Sequence, residues 1–173
     1  MKNLTLVSVS SVFSMVLLPL AGCEAERPAP SPPVRNPVAE VEQFQEYYPT
    51  RAAFLPLTEI TPADQPGKTD TIVAYITLAD SAASAVKAPA TFRFEIFQFK
   101  PLSLDPRGKR LYIWDDINLT AFNDNNRYWR DYLRAYEFTL AYDCDAATKY
   151  VLEATCLHPS GTRLVAQTIL QKK

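Results

Sequence analysis

The chain is short of the residues on which most metal and nucleophilic chemistry depends. It has one histidine, His158, and three cysteines, Cys23, Cys144 and Cys156, in 173 residues. No ligand spacing of the zinc kind can be assembled from these. Cys156 and His158 stand two apart, on one face of a strand. A cysteine nucleophile also needs an oxyanion site and an orienting partner, and the sequence offers neither. An excess of one charge is missing as well. With 18 Lys+Arg against 19 Asp+Glu the formal net charge is −1, which gives no electrostatic reason to bind nucleic acid. There is no internal repeat. The apolar run from Leu4 to Leu20 is interrupted by Ser8, Ser10, Ser11, Ser14 and Pro19, which argues against a permanent membrane-spanning helix. Asp115 to Asn126 supplies oxygen ligands suited to Ca²⁺. No Asp-x-Asp-x-Asp-Gly loop or downstream Glu completes such a site, so these residues are expected to serve turns and caps.

What is present begins at the amino terminus. Lys2 gives a positive start, Leu4 to Leu20 an apolar stretch, and Ala21-Gly22 small residues before Cys23, which is the build of a secretory signal. Leu20-Ala21-Gly22-Cys23 resembles the lipobox of bacterial lipoproteins at every position. That resemblance implies cleavage after residue 22 by signal peptidase II. It implies a diacylglycerol thioether and an amide-linked acyl chain (palmitate or similar) on Cys23, and residence on a membrane of the cell envelope. Glu24, where an Asp would favour retention in the inner membrane, favours the outer membrane. One acyl chain binds reversibly and two or three hold firmly, at about 0.8 kcal/mol per buried CH₂. No other cofactor is expected.

Residues 23–49 then form a lipidated tether. Pro28, Pro30, Pro32, Pro33 and Pro37 block helix and sheet alike, so an extended spacer is expected. Val38, Val41, Phe44 and Tyr48 have helical spacing, which predicts a short helix ended by Pro49. Residues 50–173 read as one domain. Nine Phe, nine Tyr and only four Gly in the whole chain point to a folded, aromatic-cored domain rather than disorder.

Period-two alternation runs through that domain. Strands are expected at Phe54–Ile60, at the edge because Pro56 cannot donate to a ladder, and at Thr71–Ala79, Thr91–Phe99, Lys109–Trp114, Tyr136–Tyr142, Tyr150–Leu157 and Leu164–Leu170. Asp105-Pro106-Arg107-Gly108 has the composition of a type I turn. Asn123 or Asp124 is placed to cap a short helix carrying Tyr128, Trp129, Tyr132 and Leu133 on one face, with Arg127 four residues before Asp131 for an ion pair. The fold class expected is all-β, an antiparallel β-sandwich of immunoglobulin or transthyretin type with one short helix. Val86-Lys87-Ala88-Pro89, Phe92-Arg93-Phe94, Tyr150-Val151-Leu152-Glu153-Ala154-Thr155 and Pro159-Ser160-Gly161 resemble transthyretin-like and carboxypeptidase-regulatory-like domains. Ala147-Thr148-Lys149 stands where Pro-Gly is usual in those families. The whole is also similar to uncharacterised domains of bacterial surface lipoproteins.

A hairpin joining Arg134–Tyr142 to Tyr150–Leu157 would set Cys144 at its turn and Cys156 at its far end, beyond the ~7 Å reach of a disulfide. Two separate thiols are therefore expected, Cys156 buried, with a bridge as the alternative. His158 is expected in solvent on a turn. Tyr112, Trp114, Tyr128, Trp129 and Tyr132, together with Phe97 and Phe99, are the residues that suggest contact with a ligand or partner. Exposed together, they form a stacking platform for sugar rings. In the other reading the helix packs its Tyr128, Trp129 and Tyr132 onto Phe97 and Phe99. The function expected is a non-catalytic binding or structural module on the envelope, with an envelope protein or a glycan as partner besides the bilayer. Replacing Cys23 by Ser is expected to leave an unprocessed or soluble protein. Detergent partitioning unchanged by that substitution contradicts the anchor.

Overall fold

The computed structural model describes residues 45–65 and 67–172. The signal, Cys23 and the proline-rich stretch expected from the sequence lie outside the described residues.

The alternation dictates the two sheets. In β3 (Thr71–Ala79) the even-numbered Ile72, Ala74, Ile76 and Leu78 are fully buried, and the odd-numbered residues are half-buried. In β4 (Thr91–Phe99) Phe92, Phe94 and Ile96 are likewise buried. Each of the larger of these side chains contributes about 1.5–3 kcal/mol on burial, so a one-residue slip in either strand is prohibitive. One sheet contains β1 (Arg51–Phe54), β3, β8 (Ala135–Ala141) and β7 (Trp129–Arg130) in that order, with β2 (Glu59–Thr61) also on β3. The other contains β10 (Arg163–Gln171), β9 (Lys149–Leu157), β4 and β5 (Arg107–Ile113), with β6 (Ile117–Asn118) also on β4. Every pairing is antiparallel. The sheets face each other through aromatic contacts, with ring centroids 4.9 Å apart for Phe92 and Phe138 and 4.8 Å for Phe94 and Phe138. The domain is an all-β sandwich with one short α-helix, α1 (Phe122–Tyr128), at one end.

Several expectations are corrected, each for a local physical reason. The predicted strand Phe54–Ile60 is two strands on one neighbour. Pro56 has no N–H, the chain turns with Thr58 N–H donating to Leu55 O (3.0 Å), and the Thr58 hydroxyl accepts the Tyr75 N–H (3.0 Å) that the ladder leaves over. The turn predicted at Asp105–Gly108 is shifted. Arg107 and Gly108 already belong to β5, and the loop closes earlier, through Lys100 N–H donating to Pro106 O (2.7 Å). Gly108 runs so near β4 that an added Cβ would lie 2.8 Å from Gln98 O. The predicted helix near Val38–Tyr48 leaves only a 3₁₀ turn at Gln45–Tyr47 among the described residues.

The predicted hairpin between Tyr136–Tyr142 and Tyr150–Leu157 is absent, because β8 and β9 belong to different sheets and residues 142–148 cross between them. The helix spans less than expected and carries no side-chain cap at Ala121. It stops at Tyr128, since Trp129 turns extended to pair with Tyr136 and bury its ring there. Arg134 (φ 50°) closes the following turn. Asp131 accepts the Trp129 indole N–H at 2.7 Å instead of pairing with Arg127, which lies 3.9 Å from Asp124.

Asp70 ties the far end. It is buried and accepts Ala63 N–H (3.0 Å), Cys144 N–H (3.1 Å) and the Lys172 ammonium (2.7 Å), so it joins the β2–β3 loop, the sheet crossing and the carboxyl-terminal strand. The Lys172 hydrogen bond, helped by the two N–H donors against the cost of burial, holds the carboxyl below its ordinary value of 3.8. A depressed carboxylate stabilises the fold above the unfolded pKa and loses that contribution as pH falls through the folded one. Asp70→Asn is predicted to lower the urea midpoint clearly at pH 7. The difference from the parent should shrink steadily below pH of about 4. A midpoint difference independent of pH contradicts the assignment.

Candidate functional site

The aromatic residues singled out by the sequence do not gather in one place. Trp129 is 9 % exposed, wedged on Tyr136 (5.0 Å between centroids), with Lys87 above its ring. Tyr128 packs on Phe138 (5.3 Å). Tyr132 stands in the turn after β7, 78 % exposed. Phe97 and Phe99 are not covered by the helix, as one reading expected. Arg107 lies over Phe97 (5.8 Å) and Lys149 over Phe99 (5.9 Å). These cations cover the rings by charge–π contact.

Tyr112 and Trp114 do come together, with Tyr142, which the sequence reading did not select. Tyr142 continues the buried face of β8 just past its last residue, and that placement is the signal that could have found it. Trp114 donates its indole N–H to Ala141 O (3.1 Å), which bridges the edge of one sheet to the end of β8 in the other. Tyr112 meets Trp114 at 5.2 Å and 77°, Tyr142 meets Tyr112 at 5.9 Å and 45°, and Trp114 meets Tyr142 at 6.1 Å and 67°. Tyr142 also contacts Tyr150 at 6.1 Å and 80°. Sugar platforms offer rings that a pyranose can lie flat against. These rings stand edge to face and leave Tyr112 as the outer member, 49 % exposed. Beside them the edge strand β5 exposes Leu111 (37 %) and Ile113 (43 %). Its other half is guarded by Arg107, Lys109 and Arg110 and by two register shifts against β4, the usual protection of an edge. Only the stretch from Leu111 to Trp114 is left open and apolar.

His158 is corrected from solvent to interior. It is 6 % exposed, its ring rests 4.8 Å from Tyr48, and burial lowers its pKa. Nδ1 accepts the Ser160 N–H (3.2 Å) and lies 2.7 Å from the Ser160 hydroxyl, which in turn meets Thr162 Oγ1 at 2.9 Å. This knits the β9–β10 turn, where Gly161 supplies the left-handed φ of 88°. Among the described residues no carboxylate hydrogen-bonds the His158 ring. No cluster of three or more His, Cys, Asp or Glu positioned to hold a metal occurs among the described residues.

Comparison with protein-family models, with curated proteins and with solved structures finds no match to this chain.

Cys144 and Cys156 are separate free thiols, both buried. The reason is not the predicted hairpin. Cys144 lies in the crossing that precedes β9, while Cys156 stands near the opposite end of that strand, about 20 Å away at ~3.3 Å per residue. Burial, with the Asp70 carboxylate nearby, pushes the Cys144 thiol up to about 11, and burial pushes Cys156 up to about 12. Thiolates are the reactive form. Iodoacetamide at pH 8 is therefore predicted to leave both unmodified in the native protein and to alkylate both in denaturant. Rapid native alkylation of either contradicts their burial.

Proposed function

We propose that this chain is a bacterial envelope lipoprotein whose β-sandwich is a non-catalytic binding module. It is acylated on Cys23 and joined to that anchor by the proline-rich segment. The anchor rests on Leu20-Ala21-Gly22-Cys23 alone. The binding half rests on one observation: the open apolar stretch of β5, where Tyr112 and Ile113 are exposed beside a Trp114 fixed by its bond to Ala141. Such a stretch suits an extended segment of a partner protein, which gains main-chain bonds from the free edge and an aromatic anchor from Tyr112. A glycan is the second reading, favoured by the exposure of Tyr112 and disfavoured by the crossed ring planes. The outer membrane is preferred on the strength of Glu24.

A photo-crosslinking residue at Ile113 in the acylated protein, irradiated in its own envelope, is predicted to yield one discrete protein adduct. Tyr112→Ala should weaken formation of that adduct by about tenfold or more, because exposed aromatic anchors commonly carry 1–2 kcal/mol. Tyr112→Ala tests this more cleanly than a change at the half-buried Trp114. Crosslinking to glycan alone favours the second reading. No adduct with either contradicts a binding role for this edge.

A further inference from the structure

The loop between β4 and β5 presents apolar side chains that nothing in the fold uses. Leu102 and Leu104 are 108 % and 109 % exposed, as open as in an extended peptide. Leu102 is also held at a φ of 60°, a left-handed conformation that costs a branched residue energy and is kept only where the surroundings enforce it.

The base of the loop supplies that enforcement. Lys100 N–H donates to Pro106 O at 2.7 Å, and Pro101 and Pro106 restrict the chain on either side. Asp105 accepts the Arg107 N–H (3.0 Å) and its guanidinium (2.9 Å). Arg107 in turn bonds Glu153, 4 % exposed, at 2.6 Å. The two leucines are thus presented on a built pedestal, with the entropy of ordering already spent.

The chemistry of an occupant follows from what the tip has and lacks. Ser103 is its only polar side chain. Asp105 is exposed at the foot of the tip and shares the Arg107 guanidinium with Glu153, and the exposed cations Lys100 and Lys149 flank the base. Asp143 and Asp145 sit on the neighbouring crossing. Two leucines offer roughly 200 Å² of apolar surface, far below the ~800 Å² per partner of a specific protein interface. A bilayer needs no complementary pocket. Apolar residues at a rigid tip, with lysines behind them at headgroup level, are what its interface accepts.

We propose that residues 101–105 form a membrane-inserting loop, with Leu102 and Leu104 entering the boundary between headgroups and acyl chains. This contact is separate from the Cys23 anchor and lies at the end of the sandwich opposite the one where Gln45 begins the described chain.

The test uses the chain from position 23 onward carrying Cys23→Ser, which contains every described residue and no acyl chain. Leu102→Cys, Leu104→Cys and, as control on the other sheet, Thr139→Cys are labelled with an environment-sensitive nitrobenzoxadiazole dye. Cys144 and Cys156 stay unlabelled in the native state because they are buried. The vesicles are phosphatidylcholine alone and phosphatidylcholine with about a third phosphatidylglycerol. Labels at 102 and 104 are expected to brighten several-fold and shift to the blue with both vesicles, the label at 139 with neither. Leu102→Ser/Leu104→Ser, with an unchanged circular dichroism spectrum, should reduce co-sedimentation with vesicles at least tenfold. Labels at 102 and 104 that stay water-like overturn the proposal. Co-sedimentation with anionic vesicles that leaves the emission of both labels unshifted overturns it in favour of surface adsorption. A response to protein concentration without vesicles overturns it in favour of self-association. None of these results depends on whether Cys23 is acylated or the β5 edge binds a partner.

Discussion

The closed end of the sandwich depends on one buried hydroxyl. Tyr136 Oη accepts the Ala88 N–H at 2.9 Å, and its own proton lies between Ala88 O (2.8 Å) and Asn125 Oδ1 (3.1 Å). Asn125, itself buried, donates to Ala88 O (3.0 Å) and Leu119 O (2.9 Å). The Tyr136 ring packs on Phe92 (5.3 Å), Phe138 (6.3 Å) and Trp129 (5.0 Å). A single side chain from β8 therefore fixes the 80–90 loop, the helix and the strand that follows it. Removing any member would leave buried donors or acceptors unpaired, which costs more than a satisfied bond contributes. Burial also raises the phenol pKa, so the hydroxyl keeps its proton across ordinary pH.

This closure explains how the elements divide their work. The end where the described chain begins is locked, by Tyr136 within and by Tyr48 packed against His158 outside. At the opposite end the β2–β3 loop and the sheet crossing are tied by Asp70 and Lys172 rather than by packing alone. Between them β5 is left as an edge whose amino-terminal half is charged and bulged and whose carboxyl-terminal half is apolar. The proposed partner and membrane contacts both fall on the parts of the scaffold that this division leaves open, the β5 edge and the β4–β5 loop.

The long strands were readable because residues such as Ile72, Ala74, Ile76 and Leu78 allow one face only. The sandwich class followed from their number and spacing. The partner of each strand was less readable. β8 and β9 are neighbours in sequence, and seven residues can either turn back within a sheet or cross to the other, so alternation alone cannot tell these apart. The helix was overextended because Tyr128, Trp129 and Tyr132 do have helical spacing. What ends it is a tertiary fact, the site that Tyr136 offers to the Trp129 ring. His158 sits on a turn, as composition suggests. Its burial comes from Tyr48, a residue far away in the chain. Leu102 and Leu104 gave no warning, since apolar residues are expected inside. Of the aromatic set, Tyr112 and Trp114 lie together in the structure, while their contact with Tyr142 required knowing that β8 ends beside β5.

The central physical claim is that the Tyr136 hydroxyl closes the sandwich. Hydrogen exchange of the Ala88 amide tests it most directly, because that amide sits in a loop and its bond is to a side chain. The account predicts that it exchanges only with global unfolding, as slowly as the amides paired between β4 and β9. In Tyr136→Phe it should become as fast as an ordinary loop amide while the β4–β9 amides stay protected relative to it. An Ala88 amide that exchanges freely in the unaltered protein would contradict the account.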